Sequence, residues 1–157
     1  MEDLKRALEI TKISRKVHYK ILNHYTLEEL NYIPSGFKNN LFWNIAHIMV
    51  TQQLLVYVQS GLNTVIDETW INLYRKGTST KRDATKSELD QLKKLLFTTI
   101  EATEKAIEEG KFKKYDAYMT STGFELKKVN DAFEFNNFHE GIHLGYILAL
   151  KKAIPEK

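Results

Sequence analysis

Apolar residues recur at intervals of three and four along four long segments of the chain, and this periodicity limits the folds that it can adopt. Such spacing marks one face of an amphipathic helix. It occurs over residues 2–24, from about Thr85 or Ser87 to Gly110, and over residues 130–153, while residues 40–59 are apolar nearly all round, as in a largely buried helix. The first stripe consists of Leu4, Leu8, Ile10, Ile13, Val17, Ile21 and Leu22. The last consists of Ala132, Phe135, Phe138, His139, Ile142, His143, Tyr146, Ile147 and Leu150.

Four long helices must bury their apolar faces against one another, so the sequence predicts an all-α fold, a four-helix bundle with long connecting loops. At 157 residues the chain has the length of one ordinary domain, and we expect residues 1–157 to form a single domain. Pro34 predicts a break in helical structure over residues 25–36. Residues 61–84 are long enough for a functional loop or a crossing over the bundle end, and residues 111–129 for a partly extended segment or a lid.

Composition excludes several classes of function. The chain has no cysteine, so a transition-metal site would need imidazole or carboxylate ligands. Its net charge of +3 comes from 23 basic and 20 acidic residues spread along the chain, which does not indicate nucleic-acid binding. We find no apolar run of 18 residues and no secretory signal, and we therefore expect a soluble, cytoplasmic protein without a membrane partner. The densest basic cluster is interpreted as a solvated loop: Lys76, Lys81, Arg82 and Lys86.

Three of the five histidines lie on apolar helix faces, where a buried imidazole needs partners for its nitrogens. His139 and His143 are four residues apart, so their side chains project from the same side of the last helix, close enough to share an ion. His47 lies within the most apolar helix and could supply a third ligand from a facing helix. Taken alone, His47 could also be a core histidine bonded to a carbonyl or a carboxylate. Together the three predict a metal site.

The neighbours of these histidines are less specific. Gly141 and Gly145 could permit close approach of another helix or subunit, or leave space beside a metal. Glu140 lies about 100° round the helix from His139 and is expected to face solvent, so no catalytic base is identified. Asn44, Gln52 and Glu134 could hold the ligands or be purely structural. Core packing rather than substrate contact is expected of Trp43, Phe135, Phe138 and Tyr146.

Two segments, LFWNIAHIMVTQQLL and NNFHEGIHLGYILALKKAI, resemble the first and last metal-binding segments of the DinB (YfiT-like) family of proposed metalloenzymes. YMTSTGFELKKVNDAF resembles the stretch before that family's final helix. The resemblance spans most of the chain and implies a four-helix bundle, often dimeric. It implies that one histidine of the second helix, His47, joins His139 and His143 of the last helix as metal ligands. The family includes thiol-dependent S-transferases, a maleylpyruvate isomerase and proteins of unknown activity.

Three neutral imidazoles would leave a coordination position open for water or substrate, as in catalytic metal sites. We expect a divalent ion, zinc or nickel, and a metal-dependent enzyme that acts on a small molecule by thiol S-transfer or hydrolysis. We also expect a homodimer. The alternatives are a non-catalytic metal- or ligand-binding bundle, with a role in stress as one option, and a helical interaction protein without metal. No catalytic triad, phosphate-binding loop or dinucleotide fingerprint is present.

Overall fold

A computed structural model describes residues 2–155, and they form the all-α fold that the periodicity predicts. The four long helices are α1 (Glu2–His24), α3 (Leu41–Gln52), α5 (Lys86–Glu108) and α6 (Val129–Lys152). Two short helices, α2 (Leu27–Asn31) and α4 (Glu68–Tyr74), lie in the connections. A π-helical segment, Gln53–Val58, directly continues α3. Before α6, strands β1 (Tyr118–Met119) and β2 (Glu125–Leu126) form an antiparallel pair.

Side-chain caps account for where several of these helices begin. The Thr85 hydroxyl accepts the Glu88 amide and the Glu88 carboxylate accepts the Thr85 amide, which is the capping box at the start of α5. Thr26 and Glu29 form the same arrangement and start α2 inside the segment where only a break was predicted. The predicted break after α1 is therefore confirmed, except that Leu27–Asn31 form a short helix within it, for which the capping-box pattern was the signal.

Helix α3 lies at the centre of the protein, and every residue from Leu41 to Val50 is buried. It packs against α6 and α4, while α1 packs against α5 and α6. The 18-residue stretch Leu41–Val58 is long and apolar enough to cross a membrane, contrary to the sequence-based expectation that there is no such stretch. However, 83% of this stretch is buried within the protein. Its apolar character is therefore that of a core helix, which is consistent with a soluble protein.

The apolar stripes predicted for α1 and α6 were wider than the faces that these helices bury. Ile10 and Ile13 are 54% and 63% exposed, and in their place Thr11, Arg15 and His18 of α1 are buried. On α6, two aromatic side chains expected in the core are exposed, Phe138 and Tyr146. The discrepancy arises because α1 and α6 meet partly through polar side chains, which a hydrophobic pattern does not reveal.

The connection over residues 61–84 is folded onto α3 by α4, whose Trp70 and Tyr74 are buried. This places the carbonyl oxygen of Tyr74 beside α3. The basic cluster that follows is exposed, as expected for a solvated loop: Lys76, Lys81, Arg82 and Lys86.

Candidate metal centre

The packing of α3 against α6 brings His47, His139 and His143 together. Their candidate ligand nitrogens all lie within 4.8 Å of one another. The ring centroids of His139 and His143 are 4.6 Å apart. The ring centroid of His47 lies 5.1 Å from that of His139 and 4.8 Å from that of His143. Among residues 2–155, this group includes no fourth histidine or carboxylate.

Two of the three rings are oriented by acceptors on their Nδ1 atoms. His47 Nδ1 donates to the carbonyl oxygen of Tyr74 at 2.6 Å, and His143 Nδ1 donates to Asn44 Oδ1 at 2.9 Å. The Asn44 amide is itself fixed, since its Nδ2 donates to the carbonyl oxygen of Asn40 at 2.8 Å. A ring that donates from Nδ1 keeps the Nε2 lone pair for a metal ion. His47 and His143 therefore present the atoms that a metal would need.

Burial keeps these imidazoles neutral. Desolvation, reinforced by His143 and His47, lowers the pKa of His139 to about 3. Desolvation and then His47 lower the pKa of His143 to about 4, and burial also lowers the pKa of His47. At neutral pH all three rings therefore carry a free lone pair, which is the form that binds metals.

The arrangement fits a divalent ion in two further respects. Among the described residues, the buried Nδ1 atom of His139 has no hydrogen-bond partner, so this ring is not held by an internal bond as the rings of His47 and His143 are. Zinc–nitrogen bonds of 2.0–2.1 Å place tetrahedral ligands about 3.4 Å apart, so ring rotations that bring the nitrogens up to about 1.4 Å closer would suffice. Neutral imidazole donors suit zinc, nickel, copper or iron.

A cavity of about 460 Å³ opens beside the histidines. Thr51 lies on its wall, and its hydroxyl donates to His47 Nε2 at 3.3 Å, a hydrogen bond that a metal ion on this nitrogen would replace. The turn between β1 and β2 covers it with residues 120–122, and Lys76 contributes a cationic side chain. The other wall residues from the two helices are mainly apolar: Leu54, Leu55, Val58, Phe135 and Ile142. The candidate ligands therefore have access to a space large enough for a small molecule.

Of the three proposed supporting residues, Asn44 does contact a histidine, whereas the other two lie elsewhere. Gln52 donates to Thr103 at 3.1 Å, and Glu134 is exposed. Sequence reasoning missed the Tyr74 carbonyl, since nothing in the sequence links position 74 to position 47. It also missed Thr51, although its position four residues after His47 placed it on the same helix face.

Glu140 does not face solvent as predicted, since it is only 1% exposed. The turn of about 100° from His139 points its carboxylate toward α1, where Arg15 donates to Glu140 Oε1 from Nη2 at 2.8 Å. Ser14 and Asn136 donate to the same carboxylate at 2.6 and 3.1 Å. Glu140 is therefore engaged in a buried network and is not a free base at the centre.

The remaining histidines lie outside the three-histidine group. His18 is buried on α1, where its Nδ1 atom is 3.3 Å from Ser14 Oγ. His24 is exposed at the end of α1. Neither belongs to the group of candidate ligands.

The glycines of α6 are exposed, and a Cβ atom at Gly141 or Gly145 would meet nothing within 4 Å. Among the described residues, no other helix approaches them, so close packing within the chain does not explain these glycines. Gly141 lies about 200° round the helix from His139, so it does not leave space beside a metal either. The approach of a second subunit stays a prediction.

Comparison with known proteins adds one finding. A family model described as the DinB superfamily matches residues 11–147, a range that includes all three histidines. No curated protein matches the chain.

Proposed function

The chain belongs to the DinB superfamily, and from this premise we propose that it is a metal-dependent enzyme that acts on a small molecule. The observation that carries the proposal is that the three-histidine group lines a cavity of about 460 Å³. A purely structural zinc site is closed by a fourth protein ligand, whereas a catalytic site keeps a position for water or substrate. The group among residues 2–155 has three members and adjoins open space, which supports the catalytic arrangement.

The residues of the chain have separable roles in this proposal. His47, His139 and His143 would hold zinc or nickel, and a divalent ion there would supply Lewis-acid activation of a water or a thiol. The Tyr74 carbonyl and the Asn44 side chain fix two of the ligand rings. The mainly apolar wall of the cavity lowers the polarity beside the histidines and so strengthens electrostatic interactions there.

Thiol S-transfer is the better supported of the two reactions that we consider. Among the described residues, no aspartate or glutamate lines the cavity, and Glu140 is engaged with Arg15. A thiol bound to a divalent metal ion is deprotonated outright, whereas zinc-bound water keeps a pKa of about 7 to 9 and so depends more on a catalytic base. The lining therefore favours a thiol nucleophile over water. The same lack of a carboxylate base supports a second candidate, a non-catalytic bundle that binds a metal and a ligand.

The test combines chelation with activity. We expect the metal-free protein to stay helical by circular dichroism, because its four helices already supply a core. Any transfer from thiols to electrophilic acceptors should vanish with the metal and return when zinc or nickel is restored. Loss of helicity on chelation would contradict the proposal, and a metal-loaded protein that binds ligands without turnover would favour the second candidate.

We further propose that the chain forms a homodimer through the exposed face of α6. Phe138 and Tyr146 are 55% and 40% exposed there, and Gly141 and Gly145 leave the surface between them flat. An exposed apolar face of this kind is suited to a symmetric contact between two copies. Light scattering should give twice the chain mass, and Phe138→Glu should give the mass of one chain. A stable monomer at micromolar and higher concentrations would contradict the proposal.

A further inference from the structure

The cavity beside the histidines can be oriented relative to α3 and α6, because these two helices pack antiparallel. The first residues of α3 share a core cluster with Ile147 and Leu150 near the end of α6. The π-helical segment shares a second cluster with Ala132 and Phe133 near the start of α6. The residues that follow His47 along the chain and the residues that precede His143 on α6 therefore extend in the same direction from the histidines.

The wall in that direction is apolar. It consists of Leu54, Leu55 and Val58 on one helix and Phe135 on the other. His143 and Phe135 are eight residues apart on α6, which corresponds to about 12 Å along the helix axis. The cavity therefore offers an apolar surface about 12 Å long that starts at the histidines.

The histidine end of the cavity is electropositive. Lys76 is the sole charged residue on the described lining, and it follows by two residues the Tyr74 carbonyl that holds His47. Among residues 2–155, Lys76 has no ion-pair partner. The nearby Glu140 carboxylate is neutralised by Arg15, and three neutral imidazoles would leave the charge of a divalent ion uncompensated. Such a site attracts a negatively charged ligand.

We propose that this cavity binds small organic acids with an apolar tail. The anionic head lies at the histidines beside Lys76, and the tail follows Leu54, Val58 and Phe135. The inference rests on the proposed metal centre and adds to it the chemical class of the substrate.

The first experiment measures the binding of linear carboxylates, from acetate to octanoate, to the zinc- or nickel-loaded protein by isothermal titration calorimetry. Each methylene that becomes buried is worth about 0.8 kcal/mol, so affinity should rise by up to about fourfold per added carbon. The neutral probe 1-heptanol should bind at least about fivefold more weakly than heptanoate at low ionic strength. Affinities that do not depend on tail length, or equal binding of the alcohol and the acid, would overturn the proposal.

Two pairs of variants locate the head and the tail. Lys76→Gln should weaken heptanoate binding by about two- to fivefold and leave heptanol binding unchanged, whereas Lys81→Gln, on the same exposed loop, should change neither. Val58→Asn should reduce the gain in affinity per added carbon of the tail, whereas Val65→Asn should not. Val58 and Val65 are both 43% exposed, and only Val58 lines the cavity. Identical effects within either pair would contradict the assigned position of the head or the tail.

Metal content separates this inference from the proposed function. If the purified protein takes up no zinc or nickel, the metal centre itself is wrong. If the protein takes up metal but binds none of the carboxylates up to octanoate, the metal centre stands and the proposed substrate class is wrong.

Discussion

On one face of α6, Glu140 meets Arg15 and Ser14 of α1, and on the adjacent face, His139 and His143 meet His47 of α3. Both regions bury polar side chains between helices, but they differ in how these groups are satisfied. The Glu140 carboxylate is 1% exposed and accepts hydrogen bonds from Ser14, Arg15 and a neighbouring asparagine. The histidines keep ligand nitrogens within 4.8 Å of one another beside a cavity.

The two regions use buried polar side chains for different purposes. A buried ion pair contributes to how helices are placed, and the removal of one partner is strongly destabilising because it leaves the other charge buried and uncompensated. Neutral imidazoles beside a cavity, of which His47 and His143 are held by acceptors on Nδ1, keep their capacity to bind an ion. We therefore expect changes in the Arg15–Glu140 region to affect folding, and changes among the histidines and their acceptors to affect metal binding.

The largest expected effect is that of Glu140→Gln. This change leaves the Arg15 guanidinium, which is 0% exposed, without a counter-charge and should lower the free energy of unfolding by about 3–5 kcal/mol. Urea unfolding of the metal-free protein measures the loss. The matched control is Glu108→Gln, which removes an exposed ion pair with Lys5 and should have little effect.

The metal content of the folded Glu140→Gln protein sharpens the comparison. We expect it to stay close to that of the unchanged protein, because Glu140 is directed toward α1. A variant that loses its metal and keeps its stability would show that the carboxylate serves the metal centre instead.

The next effect is that of Asn44→Ala, which removes the acceptor of the His143 Nδ1 hydrogen. Residues that orient metal ligands in this way typically affect metal affinity by 10- to 100-fold, and we expect a loss within that range. Asn44→Asp keeps an acceptor oxygen and should retain most of the affinity. Competition with a chelator measures both variants, and an equal loss in the two would contradict an orienting role for the Asn44 oxygen.

The free energy of unfolding of the metal-free protein should depend on pH, and its change per pH unit should be smaller than the effects of the two substitutions above. The folded pKa of His143 is about 4, below the usual 6.5, so the unfolded chain binds more protons between these values. Stability is therefore fully present above pH 6.5 and falls as the pH decreases toward 4, by up to about 1.4 kcal/mol per unit for each such histidine. Urea unfolding between pH 7 and 5 gives the slope of the free energy of unfolding against pH. His143→Gln should reduce this slope by about the contribution of one histidine. An unchanged slope would contradict the burial of this ring.

The sequence contained enough information to predict the long helices and the three-histidine group. The spacing of His139 and His143 fixes their common face, and the apolar surroundings of His47 place it in the core. Glu140 was misassigned because its partner Arg15 lies 125 positions away, and the periodicity of one helix does not show which polar residues meet across an interface. The Tyr74 carbonyl was equally inaccessible, since its contact with His47 depends on how the connection over residues 61–84 folds onto α3.

Elemental analysis of protein purified without a histidine tag tests the account most directly. We predict one zinc or nickel ion per chain, with most of it lost in His47→Ala, His139→Ala and His143→Ala. The controls His18→Ala and His24→Ala should keep their metal, measured per folded molecule, because neither histidine belongs to the three-histidine group. Full metal occupancy in His47→Ala, or no bound metal in the unchanged protein, would contradict the central claim that α3 and α6 together form a metal centre.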